Sequence, residues 1–317
     1  LAETCLRRAA YLRERLLALP GVTAFTKHSS ELWSREQLFL GGMMARKAKY
    51  GWVPDLPDRR DRMYTAPPPV GGIPLMVNLR PLVTQVYDQG DLGSCTANAL
   101  GQAIMMCLKC QKSKVMVPSR LFIYYNERVI EHSVNEDAGA QLRDGIKSLV
   151  ALGTCAESDW PYKTEKFAQK PPAGCYQKAM DHQVQRYLRL APSLQQIRNC
   201  LASGYPFVFG ITIYESFEDD SVNRSGNVPM PGSSEVSLGG HAIIGIGYND
   251  GPSISLHDGQ VWPHGTVLCQ NSWGPKWGLQ DTYAGCFTLP YEYVTDTNLA
   301  DDFWTIRLVE SETSSVS

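Results

Sequence analysis

The chain of 317 residues lacks any long hydrophobic run. None approaches the roughly 18 consecutive apolar residues that a membrane-crossing helix needs, so no membrane partner is expected. It also lacks an excess of charge of one sign. Thirty Lys and Arg stand against 32 Asp and Glu, interspersed, for a net charge of −2, and no nucleic-acid partner is expected either. A second Cys-x-x-Cys to accompany Cys107 and Cys110 is missing, which argues against zinc; no metal or cofactor is called for. The sequence begins at Leu1 and not at Met, the mark of a trimmed or processed form, so a targeting peptide would lie out of view and the compartment stays open. What is present is an ordinary globular composition, 43% hydrophobic and 20% charged, near the size at which one core divides into two.

One stretch organises the rest. Gln89-Gly90-Asp91-Leu92-Gly93-Ser94 is turn-rich and leads into Cys95, and Ala99, Ala103, Met106, Leu108 and Cys110 then recur near the spacing of one buried helix face. Cys95 is therefore expected at a helix N-terminus. Unpaired amides and the positive end of the helix dipole favour a thiolate there, which predicts a pKa below the free value of about 8.5. Two later segments supply a base and something to orient it. Gly239-Gly240-His241 heads an apolar run to Tyr248, and Val267 to Gln270 ends in Asn271-Ser272-Trp273-Gly274.

Gln89, Gly93, Ser94 and Cys95, with His241 and Asn271 following in that order, resemble papain-like cysteine peptidases. Two positions depart from that pattern: Leu92 stands where many members have a disulfide-forming Cys, and Thr96 where a Trp is usual. The resemblance implies roles. Cys95 is the nucleophile, His241 the base, Asn271 the group that holds the imidazole, and Gln89 an oxyanion-hole donor with the Cys95 amide. It further implies substrate contact at Gly139-Ala140, where the family has a Gly-Gly pair, and at Gly240, with Trp273 shielding the His-Asn bond. His257 and His264 fall in a loop rich in Gly, Pro, Ser and Asp and are expected to be exposed.

Helical patterns dominate up to about residue 190: one follows Cys95, another reading as helix or apolar segment spans Pro118–Asn126, and a third spans Ala140–Leu152 with Gly153 as its stop. Ser193 to Gln196 has capping-box spacing and opens a short helix. Short β-rich runs follow at Phe207–Tyr214, Gly240–Tyr248, Thr266–Trp273, Gly285–Leu289 and Phe303–Leu308. The expected fold is α+β: an N-terminal extension over 1–75, possibly propeptide-like, a helical lobe over 76–190 and an antiparallel β-rich lobe over 191–317, with a papain-like cleft between the lobes. Within the extension, Leu1 to Leu19 has an amphipathic helical stripe, and the Pro-rich stretches Tyr50–Asp61 and Ala66–Pro69 read as extended. If the extension inhibits, truncation before Tyr50 should raise activity. Nine cysteines leave one unpaired for chemistry, and Cys155 and Cys175 are candidates for a disulfide in an oxidising compartment. The leading expectation is a cysteine-type endopeptidase acting on peptides or proteins through a thioester. Two other classes stay open: an acyl transferase or ligase on the same fold, and an inactive binding protein. Subsite preference and oligomeric state stay open too.

Overall fold

A computed structural model describes residues 50–65 and 71–310. The amphipathic segment read at Leu1–Leu19 and the stretch Ala66–Pro69 lie outside the described residues. In chain order the elements are β1 (Met76–Asn78), α1 (Cys95–Cys110), α2 (Arg120–Ile130), α3 (Leu142–Leu152), α4 (Ala173–Ala179), β2 (Val184–Arg189), α5 (Leu194–Ala202), β3 (Phe207–Tyr214), α6 (Asp220–Ser225), β4 (Ser237–Asn249), β5 (Ile254–Ser255), β6 (Val261–Trp262), β7 (Thr266–Gln270), β8 (Cys286–Pro290), α7 (Tyr291–Thr295) and β9 (Ala300–Val309).

Seven strands form one antiparallel sheet in the order β2-β9-β3-β4-β7-β8, with β1 added along β4, while β5 and β6 make a separate hairpin. The lobe boundary expected near residue 191 is therefore crossed. β1 and β2 precede it in the chain yet belong to the sheet, because the edges of β4 and β9 offer unpaired backbone that they satisfy.

Alternation along the strands sends side chains to both faces, and both faces are covered. On one, α1 packs with Val208, Ala242, Ile244 and Trp304. On the other, Phe207, Phe209, Phe303 and Tyr293 form an aromatic core, with Phe209 and Phe303 stacked at 4.9 Å. The stripe read for α1 understates its burial: every residue from Cys95 to Leu108 is buried, because the helix lies between the sheet and helices α2 and α3. Side-chain caps set two helix starts, that at Ser193 as expected and that at Ser119 not read from the sequence. Ser119 Oγ accepts from the Phe122 amide at 3.2 Å, and Ser193 Oγ from Gln196 at 3.4 Å. All eight cysteines among the described residues are free thiols, so Cys155 and Cys175, although adjacent, do not form the disulfide considered above. Cys107 and Cys110 lie within α1, as the helical reading requires.

Candidate active site

α1 begins at Cys95, and the loop before it is tied down from several directions. The Gln89 amide donates to Ser272 O (2.9 Å), Gln89 Nε2 to Leu92 O (2.9 Å), and Ser272 Oγ to Gln89 Oε1 (2.6 Å). The Gly93 amide donates to the Asp137 carboxylate at 3.0 Å, and Tyr162 Oη donates to Gln89 O at 2.9 Å. A loop held at this many points presents the sulfur in one orientation.

Antiparallel pairing of β4 with β7 brings His241 and Asn271 together. His241 Nε2 lies 2.8 Å from Asn271 Oδ1. The Ser272 amide donates to the same Oδ1 at 2.8 Å, which settles which end of the Asn271 side chain faces the ring. Nε2 then carries the hydrogen, and Nδ1 is the unprotonated nitrogen of the neutral ring. Trp273 packs on the imidazole at 4.9 Å between ring centroids, so among the residues expected to contact substrate it lies against His241. The amide of Ala242, next to the base, reaches the Cys95 sulfur, as do those of Gly51 and Thr96. His257 and His264 are exposed, the former between Asp258 and Asp281.

The Gly51 contact is the part the sequence did not announce. Residues 50–65 run as a strap across Cys95. The Trp52 amide donates to Gly240 O (3.0 Å), Val53 to Ala140 O (3.0 Å), and Ala140 to Gly51 O (2.8 Å), making a parallel bridge between Trp52 and Ala140. Gly51 passes so close over the loop that a Cβ there would lie 1.8 Å from Gly93 O. Of the expected substrate-contact positions, Ala140 and Gly240 hold the strap by their backbones. Gly139, at φ +72°, lies so near Gly51 O that a side chain would collide with it. Beyond Trp52 the strap is pinned by charge. The Asp55 amide donates to Asp302 (2.7 Å), Trp304 Nε1 to Asp55 (2.9 Å), and Asp61 pairs with Arg143 (2.6 Å) and Arg189 (3.0 Å).

Cys95 is completely buried beneath this strap, and burial pushes its thiol up to about 12, against the backbone amides that favour the thiolate. The depressed pKa expected from the helix terminus is thus not the state of the closed molecule, because desolvation outweighs the amides and the dipole. The Gly51 amide reaches the sulfur from the strap, while Cys95 otherwise packs within the core cluster that includes Trp52, Ala97 and Ala242. Thr96 meets a partner no sequence pattern marked: its Oγ1 donates at 2.6 Å to Glu127, a fully buried carboxyl whose pKa burial raises well above the usual range.

A helix-borne Cys and a sheet-borne His-Asn pair, meeting where a helical layer abuts an antiparallel sheet, define the two-lobe cysteine-protease class. The sequence profile described as papain family cysteine protease matches residues 73–288, and the chain belongs to that family. Xylellain, a cysteine protease from Xylella fastidiosa, is 38% identical with a TM-score of 0.73, covering 84% of this chain and 97% of that one. An uncharacterised peptidase C1-like protein of Acanthamoeba polyphaga mimivirus is 38% identical over 289 residues, 82% of this chain and 87% of the viral one. A procathepsin B of Trypanosoma congolense shares the fold at 14% identity and a TM-score of 0.58, covering 76% of this chain and 80% of that one.

Proposed function

We propose that the protein is a cysteine endopeptidase held closed by its strap. The observation that carries the reading is the 2.8 Å bond that sets His241, with Cys95 at the head of α1 beside the following residue's amide. With the strap displaced, water and the amides of Ala242 and Thr96 lower the thiol pKa, and the proton moves to His241 Nδ1. The thiolate attacks the scissile carbonyl, forming a C–S bond while the C=O electrons move to oxygen. The Cys95 amide and Gln89 Nε2 donate to that oxyanion. As the C–N bond breaks, His241 protonates the leaving amine. The ring then takes a proton from water, whose hydroxide releases the acid and regenerates the thiol pair. Asn271 keeps the ring in register without adding charge.

Internal cleavage is favoured by the strap's course. It has chain on both sides of the sulfur, with Tyr50 6.1 Å from Trp273 by ring centroids on one side and Trp52 bonded to Asp302 on the other. An extended peptide following that path has residues on both sides of the reacting bond. A peptide-library digest by the reduced chain, with Cys95→Ala as blank, tests this. Cleavage between interior residues that the blank abolishes supports it. Trimming of ends alone would refute the endopeptidase assignment, and capture of the acyl group by an added amine in preference to water would make the enzyme a transferase.

A further inference from the structure

Cys95, Asn98 and Gln102 stand at helical steps of three and four on one face of α1, the helix that packs against β4. Where α1 meets β4 and the end of β7, a cavity is lined by Asn98, Gln102, Ala242, Ile244, Gln270 and Asn271, with room of about 10 Å³ for the centre of a water molecule. That is the space of one buried water and too little for a larger ligand.

Two of the polar side chains on this wall are already satisfied. Asn98 Nδ2 donates to Ser94 O at 2.9 Å, and its Oδ1 accepts from Arg120 Nη1 at 3.3 Å. Gln270 Nε2 donates to Gly285 O at 2.7 Å, and its Oε1 accepts from Cys286 Sγ at 3.3 Å. Gln102 and Asn271 are different. Both amide atoms of Gln102, a residue 2% exposed, and Nδ2 of Asn271, 3% exposed, have no hydrogen-bond partner among the described residues. A buried amide in that condition loses its hydration without replacement, and an apolar side chain of the same length would carry no such cost. The identity of the Asn271 end is fixed, since Oδ1 is the atom that meets His241 and the Ser272 amide. Nδ2 therefore holds hydrogens that need an acceptor.

We infer that one water molecule is bound in this cavity between Asn271 and Gln102, and that Gln102 acts through it as a positioning residue for His241; the second part rests on the peptidase reading above. The water accepts from Asn271 Nδ2. Because it can donate as well as accept, it also serves whichever end of the Gln102 amide faces it. Asn271 is then held at both ends of its side-chain amide, by the Ser272 amide at Oδ1 and by the water at Nδ2. An amide fixed in plane at both ends fixes the direction of Oδ1, and with it the tilt of the imidazole. Gln102 touches neither the sulfur nor the ring in this scheme; its effect travels through the water and Asn271.

A crystal structure of the full chain tests the first part: it should show one ordered water within hydrogen-bonding distance of Asn271 Nδ2 and the Gln102 amide, and Gln102→Met should lack it. The second part is tested kinetically in a chain that carries Trp52→Ala to loosen the strap. Gln102→Met should lower kcat about five- to tenfold with KM unchanged, and Gln102→Glu should restore it, because a carboxyl kept neutral by burial still offers the water a donor and an acceptor. A wild-type structure without that water overturns the inference. So does a wild-type kcat in Gln102→Met, or a fall in kcat that Gln102→Glu shares. If no peptide is cut, the peptidase reading fails separately, and positioning is judged by NMR of the histidine-labelled full chain. There the His241 Nε2 hydrogen, assigned with Asn271→Ala, should exchange with solvent about five- to tenfold faster in Gln102→Met, and an unchanged rate overturns the positioning role. Should Gln102→Met not fold, Gln102→Leu takes its place in each measurement.

Discussion

Replacing Trp52 by Ala should expose the nucleophile. Trp52 is 8% exposed, and every partner described for its indole, Gly210, Gly240 and Asp302, lies on the body of the molecule. Its loss therefore weakens the closed state and leaves the open one nearly untouched. Truncating a buried aromatic costs about 3–5 kcal/mol. At about 1.4 kcal/mol per tenfold, that range raises the open population by about 100- to 4000-fold. The lower end applies, because Gly51, Val53 and Asp55 keep their own bonds and the emptied slot partly collapses. Cys95 gains twice on opening, in access and in ionisation, since burial is the main cause of its raised pKa. The assay is site-resolved alkylation by iodoacetamide at neutral pH, read by mass spectrometry on the peptide carrying Cys95, with circular dichroism to verify the fold. Cys95 labelling as slow as in wild type, in a folded variant, would show that the strap is not the lid.

Truncation before Tyr50 keeps every strap contact described here, and the expectation that it raises activity if the extension inhibits is checked by Cys95 labelling of the truncated chain. Asp302 is held up to about 7 by burial and by the neighbouring Asp55 carboxylate, partly offset by bonding to the Asp55 amide and by Arg189. A raised carboxyl pKa contributes stability that is complete below the ordinary value of 3.8 and lost as pH rises through about 7, so the melting temperature should fall from about pH 4 to about pH 7 and level off above, and Asp302→Asn should flatten that fall. Burial raises the Glu127 pKa well above the usual carboxylate range, so Glu127→Gln should preserve the pH dependence of thiol alkylation in the Trp52→Ala background. A downward shift of that profile would instead mean that Glu127 carries a charge. In the same background, Gln89→Ala should lower kcat about 100- to 1000-fold with little change in KM, measured by steady-state kinetics.

Local patterns were enough to place the elements that carry Cys95, His241 and Asn271. The turn before Cys95, the apolar run after His241 and the strand leading to Asn271 are contiguous signals, and β3 spans Phe207–Tyr214 as its apolar run suggested. β2 was not read, since its pattern is mixed and its strand character comes from the open edge of β9. The contribution of Glu127 was equally hidden: it lies 31 residues from Thr96, with no periodicity linking them.

From its own order of residues the chain determined a helix opening on a cysteine, a sheet carrying a histidine and an asparagine, and the class of chemistry these allow. Tertiary structure alone decided that the sulfur is covered, because the cover is a short Gly-Trp-Val stretch with no regular element of its own. Its hold depends on Gly93, Ala140, Gly240 and Asp302, which lie 42 to 251 positions further along the chain and become neighbours only when the sheet and helices close around it.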